Sequence, residues 1–295
     1  MSHKLAFIGL GAMGYPMAGH RARAGHAVTA YNRTPAKAEA WVREFGGVAA
    51  TTPADAARGL DLALLCVGGD EDVRAVTLGP DGVFSGLARG GIVVDHTTTS
   101  AALARELAAE ANARGLGFVD APVAGGVHGA RQGRLSVMAG GEPTHFTRVE
   151  PVLRCYAGEL QHMGPPGAGQ LTKMANQICG TGIIQSLAEA LAFAEAAGLD
   201  GEKVLATLGE GSASSWQLQR RGLAMLAKDF SAPGTIGLLD KDLGYCLAEA
   251  ERLGIPLPVA QMVRDFYGEF VAAGRGEWDA AALIARLARP RRNQA

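Results

Sequence analysis

The first half of the chain alternates short apolar runs with amphipathic stretches. Lys4 to Gly9 (KLAFIG), Ala27 to Tyr31 (AVTAY), Asp61 to Val67 (DLALLCV), Gly91 to Asp95 (GIVVD), Gly117 to Val123 (GFVDAPV) and Leu135 to Ala139 (LSVMA) each end in glycine or polar residues. Runs of this length bounded by turn residues predict strands, and the helical stretches between them predict a sheet of βαβ units. Thr34-Pro35 and Thr52-Pro53-Ala54-Asp55 carry helix-start signals, an N-cap residue followed by proline, and the second has the spacing of a capping box. Glu71 to Val76 and the stretch from Glu142-Pro143 read as helices, Leu160 to Gly164 as a last strand, and Pro165-Pro166 as a boundary. Gly167 to Gly198 then runs about thirty residues without proline, which predicts one long helix. Beyond it Glu202–Leu208, Ser214–Ala227, Lys241–Leu253, Val259–Ala273 and Ala280–Ala288 all read as helix.

Chemistry attaches to the strand exits. Gly9-Leu10-Gly11-Ala12-Met13-Gly14 follows the first strand at once and opens a helix, the context in which GxGxxG signals a dinucleotide site. Its first glycine permits the tight turn, the second lets a pyrophosphate approach the backbone, and the third lets helix and strand pack closely. Where the second strand ends, an acidic residue would bind a ribose 2′-hydroxyl; this chain has Asn32, Arg33 and Thr34, with Lys37 one turn on. Charge-assisted contacts of that kind are worth about 1.5–3 kcal/mol each, which predicts NADP(H) in preference to NAD(H). Gly68 and Gly69 leave the strand that ends at Val67, where ligands lie in open α/β sheets. The hydroxyls of Thr97-Thr98-Thr99-Ser100 can cap a helix, touch the nicotinamide end of a cofactor, or do both. Ala124-Gly125-Gly126-Val127-His128-Gly129-Ala130 reads as a loop whose backbone amides suit a substrate carboxylate. In the long helix, Lys173 and Asn176 stand three residues apart and share a face.

Charge and cysteine content narrow the partners. The formal net charge of −1 gives no electrostatic footprint for nucleic acid. The basic cluster Arg286 to Arg292 (RLARPRR) reads as a solvated tail. No apolar run reaches the roughly eighteen residues a bilayer requires, and the N-terminal apolar run is broken by glycines, which reads against a signal peptide. Cys66, Cys155, Cys179 and Cys246 have no CxxC spacing, so neither a metal site nor a disulfide framework is expected, and the cytoplasm is the expected compartment.

Four separated motifs, GLGAMGYPMA at Gly9–Ala18, DAPVAGGVHGARQGRL at Asp120–Leu135, GAGQLTKMANQ at Gly167–Gln177 and LLDKDL at Leu238–Leu243, stand in family order and spacing. On them the chain resembles the β-hydroxyacid dehydrogenase family, which includes 3-hydroxyisobutyrate dehydrogenases and tartronate semialdehyde (2-hydroxy-3-oxopropionate) reductases. The resemblance implies an α/β Rossmann N-terminal domain over residues 1–164 and an all-α C-terminal domain over 165–295, joined by a long interdomain helix. It implies Lys173 as the catalytic lysine, with Asn176 and Gln177 beside it placing the substrate. Gly125 and Gly126, after Ala124, would bind the substrate carboxylate through backbone amides. Val67, Gly68, Thr98 and Lys241 would contact the cofactor. The implied substrate is a small carboxylate-bearing aldehyde or hydroxy acid, and the implied assembly a homodimer or homotetramer. Ala124 stands where the family usually has serine, Gln177 where many members have a second asparagine, Arg134 where a small polar residue is usual, and His128 lies in the carboxylate loop.

Hydride addition to an aldehyde places negative charge on the carbonyl oxygen, and a proton donor within reach typically contributes 10²–10⁴-fold. The Lys173 ammonium fits that role, its neutral amine fits the reverse, and partial burial would lower its pKa toward working pH. Three other readings compete. His96 or His128 could be the catalyst, as in 2-hydroxyacid dehydrogenases, though nothing in the sequence places a carboxylate beside either. An imine reductase would share the architecture but generally has another residue at the lysine position, so Lys173 argues against that reading. A non-catalytic nucleotide-binding homologue is disfavoured by the retention of Lys173, Asn176 and Lys241.

Overall fold

The computed structural model describes residues 3–231 and 236–287. The chain forms two compact units, Met1–Lys173 and Met174–Ala295. The first contains β1 (Lys4–Ile8), α1 (Gly14–Arg23), β2 (Ala27–Tyr31), α2 (Pro35–Phe45), β3 (Val48–Ala49), α3 (Pro53–Ala57), β4 (Leu62–Leu65), α4 (Asp70–Leu78) and α5 (Val83–Gly86). It continues through β5 (Ile92–Asp95), α6 (Ala101–Ala113), β6 (Gly117–Asp120), β7 (Val123–Ala124), α7 (Gly126–Gln132), β8 (Leu135–Gly141), α8 (Pro143–Leu153) and β9 (Ala157–Gly164).

The apolar runs are continuous because both faces of the sheet are covered. Leu5 and Phe7 of β1 pack on one face with Leu64, Val94, Met17 of α1 and Trp41 of α2. Ala6 and Ile8, one residue out of phase, pack on the other with Leu65, Val93, and Leu103 and Leu107 of α6. The sheet has nine strands in the order β3-β2-β1-β4-β5-β6-β8-β7, with β9 pairing β8. The strands from β3 to β6 are parallel, whereas β8 runs antiparallel to β6 and to β7. Strand order reverses at β1 and β4, so the loops after Ile8 and Leu65, which are register partners, leave the sheet side by side.

One buried cluster ties β5 to β9. His96 is neutral, its pKa lowered to about 3 by burial. Its Nδ1 lies 2.7 Å from the Ala121 carbonyl, which can only accept, so Nδ1 carries the proton. Nε2 therefore accepts from the Tyr156 hydroxyl at 2.5 Å. Arg21 of α1, wholly buried, lies 4.3 Å from the centroid of the Tyr156 ring. Its three guanidinium nitrogens have no hydrogen-bond partner.

The long helix α9 (Ala168–Ala196) begins in the first unit, and the preceding Gly167, at φ 92°, adopts the left-handed conformation open to glycine. Asp120, wholly buried at the end of β6, accepts from the Gly167 amide at 2.8 Å and the Gln170 amide at 2.9 Å. That is a carboxylate at a helix N-terminus, satisfying otherwise orphaned donors. Gly169 follows for a steric reason: a Cβ there would stand 2.3 Å from the Met138 carbonyl oxygen of β8.

The second unit contains the rest of α9, then α10 (Gly201–Glu210), α11 (Trp216–Ala227), α12 (Ile236–Leu253), α13 (Pro258–Ala272) and a closing 3₁₀ helix, Ala280–Leu287. Asp279 opens that last helix, accepting from the Ala281 amide and pairing with Arg221 of α11 at 2.9 Å. Arg286 is not part of a solvated tail. It pairs with Glu269 at 2.8 Å and covers the Phe266 ring, because the 3₁₀ helix turns it back onto α13. The rest of the predicted basic cluster, from residue 288 to Arg292, lies outside the described residues. No helix among the described residues is long and apolar enough to cross a membrane.

Candidate active site

In the first unit the glycine loop connects β1 to α1. A Cβ on Gly9 would stand 2.2 Å from the Cys66 carbonyl oxygen, and one on Gly14 would stand 2.0 Å from that of Gly9. A Cβ on Gly11 would meet nothing within 4 Å. The outer two glycines are therefore demanded by packing, while the middle one borders open space. The first turn of α1 contains no acidic residue, and its N-cap makes no side-chain capping bond. This cradle fits a dinucleotide pyrophosphate.

At the end of β2 the predicted residues separate by role. Asn32 is committed to the loop: its Oδ1 accepts from the Leu10 amide at 2.9 Å and its Nδ2 donates to the Thr34 carbonyl at 3.1 Å. Thr34 occupies the N-cap of α2, yet its side chain makes no capping bond. Arg33 is 86% exposed and pairs with Asp72 of α4 at 3.0 Å.

At the exits of β4 and β5, Val67 donates its amide to Thr97 Oγ1 at 3.0 Å, and Thr97 donates its own amide to Asp95 Oδ1 at 2.9 Å. Ser100 caps α6, accepting from the Leu103 amide. Thr97 and Thr99 are buried, which leaves Thr98 as the half-exposed threonine of the run. Gln170 is wholly buried and binds both sides of that residue. Its Nε2 donates to the Thr97 carbonyl at 2.7 Å and its Oε1 accepts from the Thr99 amide at 3.1 Å. Lys173, one turn further along α9, is 8% exposed.

Asp95 and Asp120 are register partners on β5 and β6. Burial pushes both carboxyls up to about 7. The repulsion between them adds to the shift of Asp95, while its bonds from Thr97 oppose it.

The stretch predicted as a carboxylate loop is a strand end and a helix start. Ala124 closes β7, and Gly126 opens the seven-residue α7. Gly125 and Gly126 have φ of 118° and 60°, and both are exposed. Three glycines lower helix propensity, which is why the sequence pattern reads as loop. His128 and Arg134 are exposed, and neither lies in a described side-chain contact with the other. His96, by contrast, is a structural group with both ring nitrogens occupied and the ring neutral. Its imidazolium form is therefore not populated near neutral pH.

In the second unit Asn176, Gln177 and Lys241 are linked through Asp242. Asn176 Nδ2 donates to Gln177 Oε1 at 2.9 Å, and Gln177 Nε2 donates to Asp242 Oδ2 at 2.7 Å. Lys241 Nζ lies 3.0 Å from Asp242 Oδ1, an ion pair. Sequence reasoning overlooked Asp242, Gln170, Asp120 and Asp72. Asp120, Gln170 and Asp242 stand inside quoted motifs, but nothing in a single sequence separates them from their neighbours. Among the described residues no group of three or more His, Cys, Asp or Glu could hold a metal ion.

The chain is similar to known proteins over nearly its whole length. A model of the NAD-binding domain of 6-phosphogluconate dehydrogenase matches residues 4–164. A model described as the NAD-binding part of NADP-dependent 3-hydroxyisobutyrate dehydrogenase matches residues 167–287. Over 98% of its length the chain is 50% identical to an uncharacterized oxidoreductase of Shewanella frigidimarina, 99% of which is covered. It is 34% identical to the 2-hydroxy-3-oxopropionate reductase of Escherichia coli, over 96% of this chain and 97% of that one. Among solved structures it is similar to the 3-hydroxyisobutyrate dehydrogenase of Mycobacterium tuberculosis with L-serine. That match has a TM-score of 0.88 and 29% identity, covering 98% of this chain and 100% of the other.

Proposed function

The chain belongs to the β-hydroxyacid dehydrogenase family and is a nicotinamide-dependent oxidoreductase, and we propose that it joins NADP(H) to a short semialdehyde or 3-hydroxy acid, with Lys173 as general acid and base. The substrate is of the tartronate semialdehyde or 3-hydroxyisobutyrate type. The observation that carries the lysine's role is its burial, 8% exposed on a helix whose first turn is bonded to Asp120 and, through Gln170, to the loop of Thr98. An ordinary helical lysine snorkels to solvent; an enclosed one is rare and is the kind recruited for proton transfer.

The bound cofactor supplies the hydride. Gly9 to Gly14 would hold its pyrophosphate, and Val67, Gly68 and Thr98 of the same unit would hold the remainder. In reduction the Lys173 ammonium donates a proton to the carbonyl oxygen as that oxygen gains negative charge, and in oxidation the neutral amine takes it back. The exposed Gly125 and Gly126 would hold the far carboxylate through their backbone amides. Preference for the 2′-phosphate rests on Arg33. Its exposed pair with Asp72 is worth about 0.2–1 kcal/mol, less than the 1.5–3 kcal/mol of a charge-assisted phosphate contact, so the phosphate displaces the carboxylate.

Steady-state kinetics with tartronate, methylmalonate and succinic semialdehydes and glyoxylate, each with NADPH and NADH, test this reading. One aldehyde should be turned over with higher kcat/KM for NADPH. Lys173→Ala should lower kcat by about 10²–10⁴ while retaining NADPH binding. A variant with kcat within tenfold of the parent would refute the lysine's role.

A further inference from the structure

The loop that carries Thr98 and the helix that carries Lys173 are joined by one side chain. The Thr97 carbonyl needs a donor and the Thr99 amide needs an acceptor, and both are buried. A primary amide presents one of each in a plane, so Gln170 binds the two peptide groups much as a neighbouring strand would. The orientation of that amide is forced, since only Nε2 can face a carbonyl and only Oε1 can face an N–H. Its own backbone amide donates to Asp120, which also receives Gly167. Thr97 in turn receives the Val67 amide through its hydroxyl. The exits of β4, β5 and β6 and the first turn of α9 thus share one bonded network within the first unit.

We infer that Gln170 is a positioning residue that holds Thr98 and Lys173 at a fixed separation, so that the loop proposed to hold the cofactor and the proposed proton donor act in one geometry. This rests on the roles assigned above to Thr98 and Lys173. No other residue type of that length and neutrality supplies donor and acceptor together. A misplacement of about 1 Å between reacting groups can cost on the order of 10²-fold in rate. Gln170 touches neither substrate nor cofactor in this scheme and acts through what it holds.

The test uses the full-length protein with Gln170→Ala and the isosteric Gln170→Glu, beside Lys173→Ala. Gln170→Ala should lower kcat/KM for the aldehyde by roughly 10–100-fold and weaken NADPH binding, read by nucleotide fluorescence. Gln170→Glu keeps the acceptor for Thr99 but turns an oxygen toward the Thr97 carbonyl, where only a protonated carboxyl can bond. Its activity relative to the parent should therefore recover as pH falls from 8 toward 5.5, a response that a loss of packing would not give. Two outcomes overturn the inference: a Gln170→Ala variant with a lower Tm but unchanged NADPH Kd and kcat, or a Gln170→Glu ratio that is flat with pH. If Lys173→Ala is active, the catalytic reading fails, while the NADPH Kd of the Gln170 variants still reports on the Thr98 loop. If Lys173→Ala is inactive and the Gln170 variants match the parent, the inference about Gln170 fails alone.

Discussion

Asp242 offers the sharpest test of how the second unit holds its polar residues. Its side chain is 8% exposed, pairs with the 27%-exposed Lys241 through one oxygen, and accepts from Gln177 through the other. Breaking a fully buried pair costs about 3–5 kcal/mol and an exposed one about 0.2–1. Lys241 can regain water, so the isosteric Asp242→Asn should cost about 1–2 kcal/mol. In a chain of this size that is a fall of roughly 2–4 °C in Tm. Asparagine still offers Gln177 an acceptor, so the loss isolates the charge. Asp242→Ala removes the acceptor too, orphaning the Gln177 donor at a further cost of about 1–3 kcal/mol. With Gln177 and Asn176 released, the aldehyde KM should rise about tenfold, the equivalent of 1.4 kcal/mol. The assay is thermal unfolding of Lys241→Met, Asp242→Asn and the double variant, with aldehyde kinetics on Asp242→Ala. Strict additivity of the two single variants would refute the coupling, because contacting residues joined by charge must show an interaction energy.

Arg33→Ala should raise the KM for NADPH roughly tenfold and leave that for NADH nearly unchanged, the discrimination expected of a single phosphate contact. The glycine loop gives a contrast: Gly14→Ala should be poorly folded, because its Cβ would meet the Gly9 carbonyl. Gly11→Ala should keep the parent Tm and lose NADPH affinity by fluorescence titration. Equal Tm values for the two would contradict the packing argument. Asp95, raised to about 7 in the fold by burial, is more easily protonated there than in the unfolded chain. Its contribution to stability is thus full below about pH 4 and is lost as pH rises through 7. Asp95→Asn keeps the acceptor for Thr97 and never ionises, so its Tm relative to the parent should be higher at pH 8 than at pH 5. A difference that is the same at both pH values would refute the assignment.

The sequence pattern was most legible where burial is symmetric. β1, β4 and β5 are apolar on both faces, and those three strands run parallel. Val48–Ala49 and Val83–Gly86 are too short for a period to register, and α7 was hidden by its glycines. The glycine loop between strand and helix and the shared helix face of Lys173 and Asn176 were legible because local spacing carries them. Gln170, Asp120 and Asp242 were not, because each acquires meaning from a partner far along the chain. The bond from Gly167 to Asp120 spans 47 positions, that from Gln177 to Asp242 spans 65, and that from Gln170 to Thr97 spans 73. Periodicity and motif offsets have no reach at that range.

Coenzyme choice through Arg33, as proposed, would be sensitive to the medium, because its pair with Asp72 is exposed. At an ionic strength of about 0.15 M the Debye length is about 8 Å, and at 1 M it is about 3 Å. A guanidinium that is 86% exposed has its attraction for both the carboxylate and a phosphate reduced together as salt is added. Contacts of a dinucleotide with the backbone amides of Gly9 to Gly14 depend on no side-chain charge and would respond far less. Discrimination that depends on Arg33 therefore narrows in concentrated electrolyte while overall nucleotide binding persists. Under that proposal, solutes that never enter the fold would shift which of the two coenzymes is used.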